Sequence, residues 1–348
     1  MLNDIAEKVT KSTGITCYVR SILNVLEALT KTNNIWELVA ISHEPFICVI
    51  EILKELEKRK LVSITNVISL TNRGREILST YMYCKKDYRC DKCSGRGILF
   101  NLLPEDVIKE YMKIVMNRPR PIQEFDQGFV TEDTALSRIA IMDQYGDVRG
   151  RDIFIIGDDD LISVALGLTN WPKKIVVLEI DERLVSYISK ISNEYGLNIE
   201  ILKRDASEPL PSYLVSKFDT FFTDPPEPLE AIKLFVGRGI MALRKEKSAG
   251  YISLTLIDSS IDKWREIQKM FLTQFNVVIT DIIRDFNRYQ NWDYITDMKI
   301  WKLLPVKQKP ESIWYTSSLF RIEVLKNSKG FNERMKQDIY SDRENISR

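Results

Sequence analysis

Four short apolar runs, each closed by an acidic side chain, limit what this chain can fold into more than any other feature. Ile153–Ile156 precedes Gly157-Asp158-Asp159-Asp160, and Ile175–Leu178 precedes Glu179-Ile180-Asp181. Ile199–Leu202 leads to Asp205, and Phe218–Phe222 leads to Asp224. Two further runs follow, Gly250–Thr255 and Phe320–Leu325. Near-continuous apolar strands spaced by amphipathic helices form a parallel sheet covered on both faces. The predicted fold class is therefore α/β, a Rossmann-like doubly wound sheet of the adenosylmethionine-dependent transferase type. Such sheets bind ligands beyond the C-terminal ends of their strands, where these acids fall. An acid ending the second strand, Glu179 or Asp181, can take ribose hydroxyls, and Asp205 can accept from an adenine amine.

The Gly157-Asp158-Asp159-Asp160 tip sharpens the choice of ligand. Phosphate sites at such turns use glycines and bare backbone N–H groups, and three adjacent carboxylates repel a phosphate. The tip is suited to a cation: an amine, a sulfonium or a metal ion. The fourth strand closes in Thr223-Asp224-Pro225-Pro226-Glu227, where two prolines fix the backbone and hold Asp224 and Glu227 at the pocket mouth. A similar Asp-Pro-Pro pattern followed by an aromatic occurs in enzymes that methylate exocyclic amines of nucleobases. Here Glu227 stands where the stacking aromatic would be, and an acid there suits a flexible aliphatic amine.

Composition narrows the remainder. A chain of 348 residues suggests about two domains. It has no apolar run of 18 or more residues, which makes a soluble, cytoplasmic protein the expectation, with no membrane partner. Fifty basic and 49 acidic side chains nearly cancel, so net charge names no polyanionic partner. His43 is the single histidine, so a general base has to come from Asp, Glu, Lys, Tyr or Cys.

Residues 1–82 read as a small winged-helix-like domain: three helices, strands at Leu61–Ile64 and Val67–Leu70 around an Asn66 turn, and a closing helix. The helix that would enter a DNA groove begins Pro45-Phe46-Ile47-Cys48, without the Arg, Lys, Asn or Gln that read bases. Residues 1 to 76 carry ten basic and nine acidic side chains, so a dimerisation or lid role is expected rather than nucleic-acid binding. Residues 83–150 are expected to form a cysteine-containing linker, 151–326 the larger α/β domain, and 327–348 a polar tail, either flexible or ordering over a ligand. Cys84, Cys90 and Cys93 offer part of a structural zinc site, with a redox pair or idle thiols as the alternatives.

Together, Gly157-Asp158-Asp159-Asp160, Thr223-Asp224-Pro225-Pro226-Glu227 and Glu179-Ile180-Asp181-Glu182-Arg183 resemble the branched-chain polyamine synthases of thermophilic archaea and bacteria. The resemblance extends to the front domain, the linker, and Arg118-Pro119-Arg120-Pro121 through Phe125-Asp126-Gln127. It implies transfer of aminopropyl groups from decarboxylated S-adenosylmethionine to the secondary amine of spermidine or a related polyamine, with methylthioadenosine leaving. It also places the catalytic aspartate among Asp158, Asp159 and Asp160, makes 151–326 the catalytic domain, and implies that 83–150 covers the substrate.

The chemistry agrees. A carboxylate can accept the proton of the attacking nitrogen while others anchor the remaining ammonium groups, and clustered acids raise one another's pKa. Asp159 is the expected base, with Asp158 and Asp160 positioning amines. Gly157, Glu179, Asp181, Asp205 and Asp224 are expected at the adenosyl ligand. Asp126, Gln127, Glu132, Asp224, Pro225, Pro226 and Glu227 are expected at the amine. Two other readings stay open, an adenosylmethionine-dependent amino-methyltransferase acting on nucleic acid and a non-catalytic polyamine sensor. A homodimer is the default assembly.

Overall fold

The computed structural model describes residues 1–244 and 248–347. The first 80 residues form helices α1 (Leu2–Thr13), α2 (Val19–Ala28), α3 (Ile35–Ser42) and α4 (Phe46–Lys58), an antiparallel ribbon of β1 (Val62–Ile64) and β2 (Ile68–Leu70), and α5 (Asn72–Thr80). Four helices precede the ribbon where the sequence suggested three. The extra one, α1, buries Leu2, Ile5, Ala6 and Val9 at helical spacing. Side-chain caps start α3 and α5: Asn34 accepts from Trp36 N, and Thr71 from Gly74 N.

The N-terminal end of α4 is docked on the rest of the chain. Phe46 is fully buried, its N–H donates to Ile257 O at 3.0 Å, and its ring meets Trp36 and Trp314 edge-on. His43, at the C-terminal cap of α3, reaches Asp285 with Nε2 at 2.9 Å and ties the same layer to the sheet.

After the linker come α6 (Glu105–Val115) and α7 (Glu132–Gln144), then an alternating series: β3 (Asp152–Ile156), α8 (Ile162–Leu168), β4 (Lys174–Glu179), α9 (Glu182–Tyr195), β5 (Ile199–Lys203), β6 (Thr220–Thr223), α10 (Leu229–Ala242), β7 (Ala249–Leu254) and α11 (Ile261–Lys269). The chain closes with β8 (Val277–Arg288), α12 (Lys299–Leu303) and β9 (Thr316–Val324). The sheet runs β5-β4-β3-β6-β7-β9-β8. Its first five strands are parallel, but β9 is antiparallel to both β7 and β8. The all-parallel expectation is therefore corrected to a mixed seven-stranded sheet. Strand β8 escaped the sequence reading because this edge strand, half-buried on one face and exposed on the other, carries no continuous apolar run of the kind that marks the parallel strands.

Alternate residues of β3 and β4 enter opposite layers, following the two-residue period of a strand. Ile153, Ile155, Ile175 and Val177 join a core continuous with the N-terminal helices. Phe154, Ile156, Val176 and Leu178 join the core beneath α10 and α11. Strand order reverses between β3 and β6, which opens a crevice at their C-terminal ends. The two acidic motifs follow those strand ends.

Residues 327–347 do not form a free tail. Met335, Ile339 and Ile346 are buried, and Arg238, also buried, donates to the carbonyls of Phe331 and Glu333. Ser260 Oγ, which caps α11, donates to Glu344 at 2.9 Å. Apolar residues four and seven positions apart anchor a segment whose polar composition suggested mobility.

Candidate functional site

At the switch point, Gly157 adopts φ +72, a left-handed conformation open to glycine at little cost, and turns the chain from β3 towards α8. Two cavities lie against this turn and share Asp126, Asp159, Asp224 and Pro226 as a common wall. The first is lined by Phe125, Gln127, Gly157, Glu179 and Asp205, with Tyr340 of the C-terminal segment. The second is lined by Pro225, Glu227, Asp258, Trp292 and Tyr315, with Ser347.

The three consecutive aspartates separate into different tasks. Asp158 is buried and accepts from Ser163 N and Oγ in the first turn of α8; burial pushes its pKa up to about 8. Asp160 is buried and accepts from Arg138 at 2.6 Å and from Val130 N at 2.7 Å. Both carboxylates are engaged by the protein; Asp158 also lines the first cavity, and Asp160 lines neither. Asp159 faces the shared wall, where Gly128 N donates to its Oδ2 at 3.2 Å. Burial, then the nearby charges of Asp160 and Asp224, hold its pKa well above the ordinary carboxylate range. A carboxylate so placed is poised to take a proton.

Asp224, at the end of β6, accepts from Arg138 at 2.5 Å and from Tyr289 Oη at 2.8 Å. Its pKa is raised by burial, with Arg138 opposing. Burial alone would lower the pKa of Arg138, but Asp224 and Asp160 raise it, so the guanidinium is a permanent charge. Glu227 is buried, and burial with the charges of Asp258, Asp126 and Asp224 raises its pKa well above normal. Asp258 behaves alike, through burial and the charge of Asp126. Mutually raised carboxylates around one cavity mark a place that favours a cation.

Other expected residues lie elsewhere. Glu179 accepts from the N–H groups of Asp158, Ile180 and Asp181, and still lines the first cavity. Asp181 instead caps α9 through Arg183 N, pairs with the Arg183 guanidinium and accepts from Gln127 at 3.0 Å. It orients Gln127 and does not line either cavity. Glu132 accepts from Gln290 at 2.8 Å and also lies away from both. The zinc expectation is corrected as well. Cys84, Cys90 and Cys93 are free thiols, and among the described residues no three potential ligands gather. Cys93 instead points its Sγ at Cys90 O, 3.9 Å away in a local turn.

Arg138, Asp258, Tyr289, Trp292 and Tyr315 were absent from the sequence-based site. Arg138 left a faint signal, a lone charge within the apolar stretch Ala135 to Met142. Asp258 left a clearer one, since it follows the end of β7 as the other acids follow their strands. The three aromatics come from segments flanking the antiparallel strands, which a search for parallel-strand tips does not reach.

Residues 106–347 match the family model described as the branched-chain polyamine synthase A C-terminal domain. A protein of Methanocaldococcus jannaschii named N(4)-bis(aminopropyl)spermidine synthase is 47% identical over 344 residues, covering 98% of each chain. A Thermus thermophilus protein of the same name is 37% identical, over 97% of this chain and 96% of its own. The crystal structure of the branched-chain polyamine synthase from Thermus thermophilus, in complex with N4-aminopropylspermidine and 5'-methylthioadenosine, superposes with a TM-score of 0.93 at 36% identity. That match covers 100% of this chain and 98% of the other.

Proposed function

The chain belongs to the branched-chain polyamine synthase family, and from that premise we propose how its two cavities share the work of an aminopropyltransferase. The enzyme moves aminopropyl groups to the secondary amine of spermidine, giving branched-chain polyamines and methylthioadenosine. Decarboxylated S-adenosylmethionine is the donor and occupies the first cavity. Asp205 meets the adenine end there, and Glu179, which keeps lone-pair capacity beyond its three backbone donors, meets the ribose. The polyamine lies in the second cavity, a distant ammonium group against Glu227.

The observation that carries this reading is the common wall. Asp159 and Asp224 border both cavities, so the acceptor nitrogen and the carbon beside the donor's sulfonium meet there. Asp159 takes the proton when the secondary amine attacks. Asp224, oriented by Arg138 and Tyr289, supplies negative charge where positive charge builds on nitrogen. Asp126 and Gln127 help to close the donor side.

Residues 1–82 are inferred to be a winged-helix-like domain, with four helices ahead of its ribbon, that serves as a lid or in dimerisation of a cytoplasmic homodimer. The buried start of α4 supports this over groove reading. Among the described residues no helix is long and apolar enough to cross a membrane.

A mass spectrum of products from purified protein, spermidine and decarboxylated S-adenosylmethionine tests the activity. Products heavier by one and two aminopropyl groups are expected. Methyl transfer to RNA or DNA from S-adenosylmethionine, with spermidine unchanged, would overturn it.

A further inference from the structure

Two successive transfers to one nitrogen pose different problems. In the first, the secondary amine attacks the carbon beside sulfur, the C–S bond breaks with its electron pair leaving on sulfur, and the nitrogen loses a proton to a base. In the second, a tertiary amine attacks the same way and becomes a quaternary cation, with no proton to lose. A carboxylate can accept no hydrogen bond from that nitrogen, whose alkyl shell also sheds water.

The second cavity holds what this step needs. Beside its carboxylates stand the rings of Tyr289, Trp292 and Tyr315, with Tyr289 Oη donating to Asp224 and Tyr315 Oη to Asp258. Tyr289 and Tyr315 meet at 84° with centroids 5.1 Å apart, and Trp292 and Tyr315 at 72° and 4.9 Å. Rings meeting near right angles form a corner rather than a slot for a flat base, and ring faces attract alkylated cations while excluding water. Asp258 supplies the counter-charge. It is 4% exposed, one of its oxygens accepts from Tyr315 Oη at 3.1 Å, and Oδ1 has no donor among the described residues. Gly128 sets the indole: a Cβ at 128 would lie 2.6 Å from Trp292 Nε1. Its N–H meanwhile donates to Asp159, so one glycine fixes both the base and the corner.

We propose that the Trp292–Tyr315 corner, backed by Asp258, seats the acceptor nitrogen as it becomes quaternary and so determines whether the reaction proceeds beyond the first transfer. The inference rests on the aminopropyltransferase reading. Its test is the ratio of second-transfer to first-transfer rate constants, read from time courses of tertiary and quaternary products. Trp292→Leu should lower that ratio by about tenfold, the scale of a desolvated cation–ring contact, and let N4-aminopropylspermidine accumulate. Trp292→Phe, which keeps a ring, should recover most of the ratio. Thermal melts identify a variant that fails to fold, in which case Tyr315→Leu against Tyr315→Phe carries the same comparison. Equal losses in both transfers, or no difference between Leu and Phe, would overturn the corner's role. Wild-type protein that transfers no aminopropyl group would instead overturn the underlying activity.

Discussion

The guanidinium of Arg138, itself wholly buried, meets the carboxylate of Asp224 at 2.5 Å, and that carboxylate lies on the wall between the two cavities. The same guanidinium reaches Asp160 at 2.6 Å, and its Nε donates to Asn287 at 2.8 Å. One cation thus joins the ends of β3 and β6 to β8 and holds in place the acids that raise the pKa of Asp159.

Arg138→Met keeps much of the side-chain volume but strands the buried carboxylate of Asp160 and the half-buried one of Asp224. Removing one partner of a buried ion pair costs about 3–5 kcal/mol. The urea midpoint should fall accordingly, with transfer lost in parallel. A loss below about 1 kcal/mol would mean that Asp160 and Asp224 do not depend on Arg138.

Asp159→Asn removes the base without changing volume or its contact with Gly128. The first transfer should drop roughly 100- to 10,000-fold, the usual contribution of a general base, with the melting temperature at or above wild type. Because its pKa is raised, the wild-type rate should climb with pH as Asp159 ionises, and the mutant should lose that limb. A first-transfer rate within about threefold of wild type would remove Asp159 from this role.

Legibility of the site in the sequence followed the range of the signals involved. Local patterns were readable: apolar runs fixed β3 to β7, and the strand-end acids placed Asp159, Asp224 and Glu227 at a common edge. What failed was partner choice. Nothing local distinguishes Asp159 from Asp158 or Asp160, because Ser163 and Arg138, five residues and more than twenty away, decide which carboxylates are already engaged. Asp181 fails likewise, drawn off by Arg183 and Gln127. The edge strand β8 and the C-terminal segment depend on tertiary packing that no short periodicity reports.

Acidity should couple to ligand binding. Asp158, Asp159, Glu179, Asp224, Glu227 and Asp258 all have raised pKa values, each chiefly through burial. A carboxyl group raised in the folded state contributes stability that is fully present below its unfolded pKa and lost as pH rises through the folded one. Without ligand, stability should therefore decline from about pH 4 towards pH 8, the window bounded by an ordinary Asp and by Asp158. Spermidine should offset the decline at the cavity acids, so its stabilising shift should grow with pH. Melts from pH 5 to 8 with and without spermidine measure both slopes; a spermidine shift independent of pH would contradict the placement of the amine among these acids.

Glu227 offers the sharpest test of the amine cavity. It is 8% exposed, follows the Asp224-Pro225-Pro226 turn, and lines the second cavity but not the first. Glu227→Gln keeps the shape and removes one negative charge. If Glu227 holds an ammonium group, spermidine binding should weaken by about 1.5–3 kcal/mol, the scale of a charge-assisted contact, while methylthioadenosine binding stays within about twofold. The two proteins should also converge at acid pH, because a protonated Glu227 already resembles glutamine in charge. Calorimetric titrations of both ligands at pH 5 and pH 8 separate the outcomes. Equal weakening of both ligands would point to a damaged pocket, and no weakening of spermidine at pH 8 would exclude Glu227 from the amine site.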